Sequence, residues 1–165
     1  MKCGMSALLS MSKTVVLIDD DQDDLEILQE TLESIDSSLR CICFSNPVEA
    51  LQVLFDGLIT TPHFIFTDIN MPGMTGDQVV KELRNKSAYN ETVISVSSTC
   101  MYEEVSENLI NLGANYTFKK QFSMSILYQT VENILIHQQP RAVAKFLPRR
   151  GYNGFALQLK SSLHY

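Results

Sequence analysis

The strongest constraint on the fold is an alternation. Five apolar runs of strand length are each followed by a stretch with helical spacing. TVVLI at 14–18 leads into a predicted helix over 24–35, with Leu25, Leu28, Leu32 and Ile35 along one face. LRCICF at 39–44 precedes a helix opened by Asn46 and Pro47, which carries Val48, Leu51, Leu54 and Phe55 and ends near Gly57. HFIFT at 63–67 runs into the turn-rich MPGMTG. Thr75 and Gln78 then have capping-box spacing ahead of Val79, Val80 and Leu83. TVISVSS at 92–98 is followed by a helix over 103–112 that Gly113 ends, and NYTFK at 115–119 by a helix that Ser123 opens and that reaches about 138. Strand-then-helix units in unbroken succession predict a doubly wound α/β fold, a parallel sheet with helices on both faces.

Sheets of this kind bind ligands beyond the carboxyl ends of their strands. Strand one ends in Asp19, Asp20 and Asp21, strand three in Asp68, strand four in Ser97 or Ser98, and strand five in Lys119 or Lys120. Folding alone does not demand that carboxylates, a hydroxyl and an ammonium converge there. Clustered carboxylates raise one another's pKa, and a bound cation relieves the repulsion. Hard oxygen ligands with open water positions suit Mg2+, with Mn2+ as the substitute. The later acids have a plainer role: Asp21 or Asp23 caps the first helix, and Asp24, like Asp77, is expected outside the site. His63, His137 and His164 are scattered, and Met71 and Met74 are expected to pack the loop.

The stretches VVLIDDDQDD, FIFTDINMPGMTG, VISVSST and GANYTFKK, in this order on five βα units, resemble the response-regulator receiver domain of two-component signalling, over about 13–138. The resemblance implies a flavodoxin-like sheet of strand order 2-1-3-4-5. It implies that Asp19 and Asp20 hold the divalent metal, with Asp20 the direct ligand, that Asp68 accepts the phosphoryl group, and that the backbone carbonyl of Asn70 completes the metal shell. Family spacing relative to Gly113 points to Ser98 as the hydroxyl and Lys120 as the lysine, with Ser97 and Lys119 as the alternative pair. In the family the lysine grips a phosphoryl oxygen, and the hydroxyl moves toward the phosphoryl group and biases the fourth helix. The implied partners are a sensor histidine kinase or a phosphotransfer protein, and a downstream protein target. The implied catalysis is limited to the domain's own aspartyl phosphorylation and dephosphorylation.

Three positions depart from the family pattern. Gln121 replaces the proline after the lysine. A cis bond before a non-proline residue costs about 2.5–4 kcal/mol, so a trans bond and a rearranged loop are expected. Thr117 occupies the usual aromatic position of strand five, and Thr99 stands where alanine is common. These departures motivate an alternative, a receiver-like scaffold that works without phosphorylation. A haloacid-dehalogenase-type phosphatase would need an acid at position 70, which is asparagine. A flavodoxin would need a phosphate cradle where this chain has acids.

Residues 140–165 read as a basic C-terminal tail. Arg141, Lys145, Arg149, Arg150 and Lys160 face no acid there, which leaves 8 basic and 19 acidic side chains for the rest of the chain. An acidic body argues against nucleic-acid binding. The tail is expected to be disordered or loosely packed; Phe146, Leu147, Tyr152, Phe155, Leu157 and Leu159 make a docking or homodimer-forming arm the next reading, and a nucleic-acid arm is the last. Residues 1–12 read as a flexible leader without a signal-peptide core, and no run is long enough to span a membrane. Cys3, Cys41, Cys43 and Cys100 fit neither a zinc site nor a disulfide framework. They are expected to be reduced and mostly buried, which places the chain in the cytoplasm.

Overall fold

The computed structural model describes residues 13–120, 123–137, 144–148 and 155–159. Five strands, β1 (Thr14–Ile18), β2 (Arg40–Phe44), β3 (Phe64–Asp68), β4 (Val93–Ser98) and β5 (Tyr116–Lys119), alternate with five helices, α1 (Gln22–Ile35), α2 (Pro47–Phe55), α3 (Gly76–Arg84), α4 (Glu103–Leu112) and α5 (Met124–Ile136). The strands pair in parallel in the order β2-β1-β3-β4-β5, as the alternation and the resemblance predict.

Local signals explain the boundaries. Asp21 caps α1, accepting from the Asp23 and Asp24 amides, and Asn46 caps α2 in the same way ahead of Pro47. Gln78 Oε1 accepts the Thr75 N–H at 3.0 Å, the reciprocal half of a capping box. Gly113 ends α4 at φ 112°, a backbone region that costs a side-chain-bearing residue energy. Ser123 stands at the N-cap position of α5, but its hydroxyl pairs with that of Ser125 instead of capping.

Each face of the sheet packs its own core, because strand side chains alternate with period two. Val16, Ile18, Ile65, Ile94 and Val96 face α2, α3 and α4. Val15, Leu17, Phe64, Phe66, Val93, Tyr116 and Phe118 face α1 and α5. At the end of the sheet remote from the carboxyl edge, Arg84 closes α3. It donates to the Gly113 carbonyl at 2.8 Å, the Thr92 carbonyl at 3.0 Å, the Asn115 side chain at 2.7 Å and the Tyr89 carbonyl.

The cysteines differ from expectation. Cys43 and Cys100 are exposed and Cys41 is half-buried. β2 is an edge strand, so its residues are not covered from both sides. Burial first, with Glu33 and Cys43 adding to it, pushes the Cys41 thiol up to about 11. Within the predicted tail, β6 (Ala144–Pro148) and β7 (Phe155–Leu159) pair antiparallel, with Phe146 opposite Leu157, structure that the proline and glycines there had not suggested. The leader, the rest of the tail and Gln121, with its expected trans bond, lie outside the described residues.

Candidate functional site

The period-two alternation that separates the cores also assembles the site. Continuing the α1/α5 face along each strand leads from Leu17 to Asp19, from Phe66 to Asp68, from Ser95 to Ser97 and from Phe118 to Lys120. Asp19 and Asp68 are buried at the strand ends. Lys120 lies between them, its Nζ 2.7 Å from Asp19 Oδ2 and 2.8 Å from Asp68 Oδ1. The Lys120 backbone N–H donates to the Ser98 carbonyl at 2.8 Å, which extends the β4–β5 ladder and aims the side chain inward. Lys119 is exposed, whereas Lys120 reaches the carboxylates.

Asp24 is the residue that sequence reasoning missed. It was expected to be only a helix-start acid, yet its Oδ2 lies 2.6 Å from Lys120 Nζ. Asp20, expected to be the direct metal ligand, is exposed. Asn70 braces Asp68: its backbone N–H donates to Asp68 Oδ2 at 2.6 Å.

The two serines diverge. Ser97 pairs with Asp68 in the β3–β4 register and lines a small hollow together with Asp19, Asp24 and Asp68. The Ser98 hydroxyl follows Ile94 and Val96 toward the other face, where it meets the Cys100 backbone at 3.2 Å and stands 3.5 Å from Asn70 Nδ2. The geometry thus sets Ser97, the alternative in the spacing argument, on the face of Asp68 and Lys120, while the Ser98 hydroxyl, on the other face, meets Asn70 and the Cys100 backbone. Counting in twos from the apolar strand residues is the sequence signal that separates them.

Burial is the larger influence on Asp19 and pushes its carboxyl above the usual range, against the hydrogen bond from Lys120. Burial also opposes the Lys120 charge, but hydrogen bonds to Asp19, Asp24 and Asp68 together prevail and hold the ammonium above its ordinary value. Among the described residues, no three His, Cys, Asp or Glu side chains form a ready-made metal cage. The donor set at this edge is nonetheless all oxygen, from Asp19, Asp20 and Asp68, which fits a small hard cation.

Two features shape the surroundings. A cavity of about 280 Å³ opens beside Lys120, walled by Ile27, Leu28, Phe118, Met124 and Leu127, with Thr99 and Ser97 at its rim. On the other side Gly76 starts α3 against the strand end. Its N–H donates to the Ile69 carbonyl at 2.9 Å, and a Cβ there would run into the Asp68 carbonyl oxygen and lie 2.9 Å from Ile69 Cα. Opposite, the Thr117 hydroxyl bonds Ser106 of α4 at 2.5 Å in the buried interior.

The chain is similar to known proteins in sequence and in fold. Residues 15–132 match the family model of the response regulator receiver domain. The DNA-binding transcriptional regulator NtrC of Escherichia coli (strain K12) is 29% identical over 133 residues, which are 78% of this chain and 27% of that protein. The chain therefore spans about a quarter of the length of this relative. Among solved structures, the chemotaxis response regulator CheY4 of Vibrio cholerae aligns with a TM-score of 0.64 and 26% identity, covering 74% of this chain and 98% of that one. The Mn(2+)-bound form of response regulator Rcp1 aligns with a TM-score of 0.66 and 22% identity, covering 76% and 93%, a likeness of fold. Among the described residues, no helix is long and apolar enough to cross a membrane.

Proposed function

Since the chain belongs to the response regulator receiver domain family, we propose that it accepts a phosphoryl group on Asp68 with the help of Mg2+ or Mn2+ and signals through protein–protein contacts. The observation that carries this reading is the cluster at the carboxyl edge: a buried carboxylate, Asp68, held 2.8 Å from an ammonium and beside a second buried carboxylate.

An oxygen of Asp68 attacks the phosphorus of a phosphohistidine or a small phosphodonor. The new P–O bond forms as the bond to the donor breaks, and the donor leaves with the electron pair. The Asn70 N–H on Asp68 Oδ2 orients the carboxylate and leaves its other oxygen toward Lys120. Lys120 donates to a phosphoryl oxygen as a compact point charge. Asp19, Asp20 and Asp68, with the Asn70 carbonyl, would hold the divalent ion, which supplies charge neutralisation for the transferring group. The hydroxyl role falls to Ser98 by spacing, while its placement favours Ser97. Loss of phosphoryl lifetime in Ser97→Ala but not Ser98→Ala would assign it to Ser97. The donor is a sensor histidine kinase or a phosphotransfer protein, the output partner is a protein, and the free thiols suit a reducing cytoplasm.

The test is intact mass after incubation with Mg2+ and acetyl phosphate. A metal-dependent gain of one phosphoryl group, absent in Asp68→Asn, is the expected result. No gain and no metal binding would favour the phosphorylation-independent scaffold.

A further inference from the structure

An ammonium has three N–H donors, and Lys120 commits all three to carboxylates: Asp19 at 2.7 Å, Asp24 at 2.6 Å and Asp68 at 2.8 Å. If Asp68 is the phosphoacceptor, the reading on which this inference rests, Lys120 has to release one of these bonds before it can donate to a phosphoryl oxygen. The three partners are unequal. The Asp19 and Asp68 side chains are 11% and 7% exposed, whereas Asp24 is 38% exposed. Water therefore takes over the Asp24 carboxylate at the least cost, since its desolvation is the shallowest of the three. Asp24 also belongs to another element. It sits in the first turn of α1, 96 residues from Lys120 in sequence, so its bond ties the start of that helix to the end of β5.

The geometry points to Asp24 as a positioning residue that draws Lys120 toward α1 and competes with the incoming phosphoryl group for one of its donors. Phosphoryl transfer exchanges the N–H···O bond to Asp24 for one to a phosphoryl oxygen. No proton changes hands, and the first turn of α1 is released from β5 in the same event. The competition slows phosphorylation and shortens the hold of Lys120 on the product.

The experiment follows phosphorylation of the full chain by acetyl phosphate and Mg2+, read by intact mass, for wild type, Asp24→Asn and Asp23→Asn. Asp23 is an exposed acid in the same turn that does not bond Lys120, so it controls for the loss of one negative charge near an anionic donor. Asp24→Asn is expected to react about two- to five-fold faster than wild type, the range that a partly exposed ion pair commands, with Asp23→Asn at the wild-type rate. A rate for Asp24→Asn equal to or below wild type overturns the proposal, and so does an equal acceleration in Asp23→Asn. In either case a labelled wild type leaves the phosphoacceptor reading standing. A wild-type chain that takes up no phosphoryl group overturns both.

Discussion

Replacing Lys120 by methionine isolates the energetics of the carboxyl edge, because it keeps the stem of the side chain and removes its charge. Three carboxylates then lose their common partner. The Asp24 bond involves a side chain that is 38% exposed, so solvent screening limits its contribution to about 0.2–1 kcal/mol. Asp19 and Asp68 are 11% and 7% exposed, and leaving a buried charge unpaired costs about 3–5 kcal/mol. Bonds that share one ammonium do not add. The expected loss is therefore about 3–5 kcal/mol at pH 7, a large part of the ~5–15 kcal/mol that holds a domain together, and equivalent to roughly 6–20 °C in Tm.

The pH dependence carries the sign. In the wild type the Lys120 value is raised in the folded state, so its contribution is full below about pH 10.4 and is lost as pH rises through the folded value. In Lys120→Met the penalty shrinks on acidification, because burial already pushes the Asp19 carboxyl above its usual range and it takes up a proton the more readily without the ammonium. Urea denaturation of both proteins at pH 4.5 and pH 7 reads the difference, and Mg2+ added at pH 7 should restore part of it. A variant that unfolds within about 1 kcal/mol of wild type at pH 7, a difference no larger than an exposed pair gives, would refute the claim that this ammonium neutralises the edge.

Arg84→Ala removes the side chain that ties α3 to the Gly113, Thr92 and Tyr89 carbonyls and to Asn115. Chemical denaturation should show a loss of about 3 kcal/mol or more, with Arg84→Lys a poor substitute because one ammonium does not reproduce the fork. The Ser95 hydroxyl is buried without a hydrogen-bond partner among the described residues, so Ser95→Ala should stabilise the protein by about 1 kcal/mol in the same assay. With its thiol pushed up to about 11, Cys41 should resist iodoacetamide at pH 8 and become reactive only as pH approaches that value, as peptide mapping by mass would show.

The sheet was legible because each strand announces itself as an apolar run, and those runs fix the strand ends where Asp19, Asp68 and Lys120 lie. What stayed hidden was contact between residues far apart in the chain. Asp24 has every mark of a helix-start acid, and its bond to Lys120 arises only when β5 is laid in the sheet. Ser97 and Ser98 are neighbours of the same type. Family spacing preferred one, and the alternation of faces along β4 turned the other toward Asp68. The exposure of Cys43 follows from the edge position of β2, which hydrophobic periodicity does not encode. Pairing between β6 and β7 depends on a partner strand across a Pro- and Gly-containing stretch, which reads locally as a break.

The contact of Gly76 with the Asp68 backbone has a mechanical meaning. With no room even for a methyl group between them, α3 bears on the acidic edge without clearance. Nine helical residues make a rod about 14 Å long. Its far end is Arg84, whose fork grips the start of β4 and the end of α4. A push on the Asp68 peptide toward α3 therefore meets the helix backbone directly. It loads a strut seated at both ends, and the whole helix must shift, carrying the footing of its neighbours at the opposite rim of the sheet.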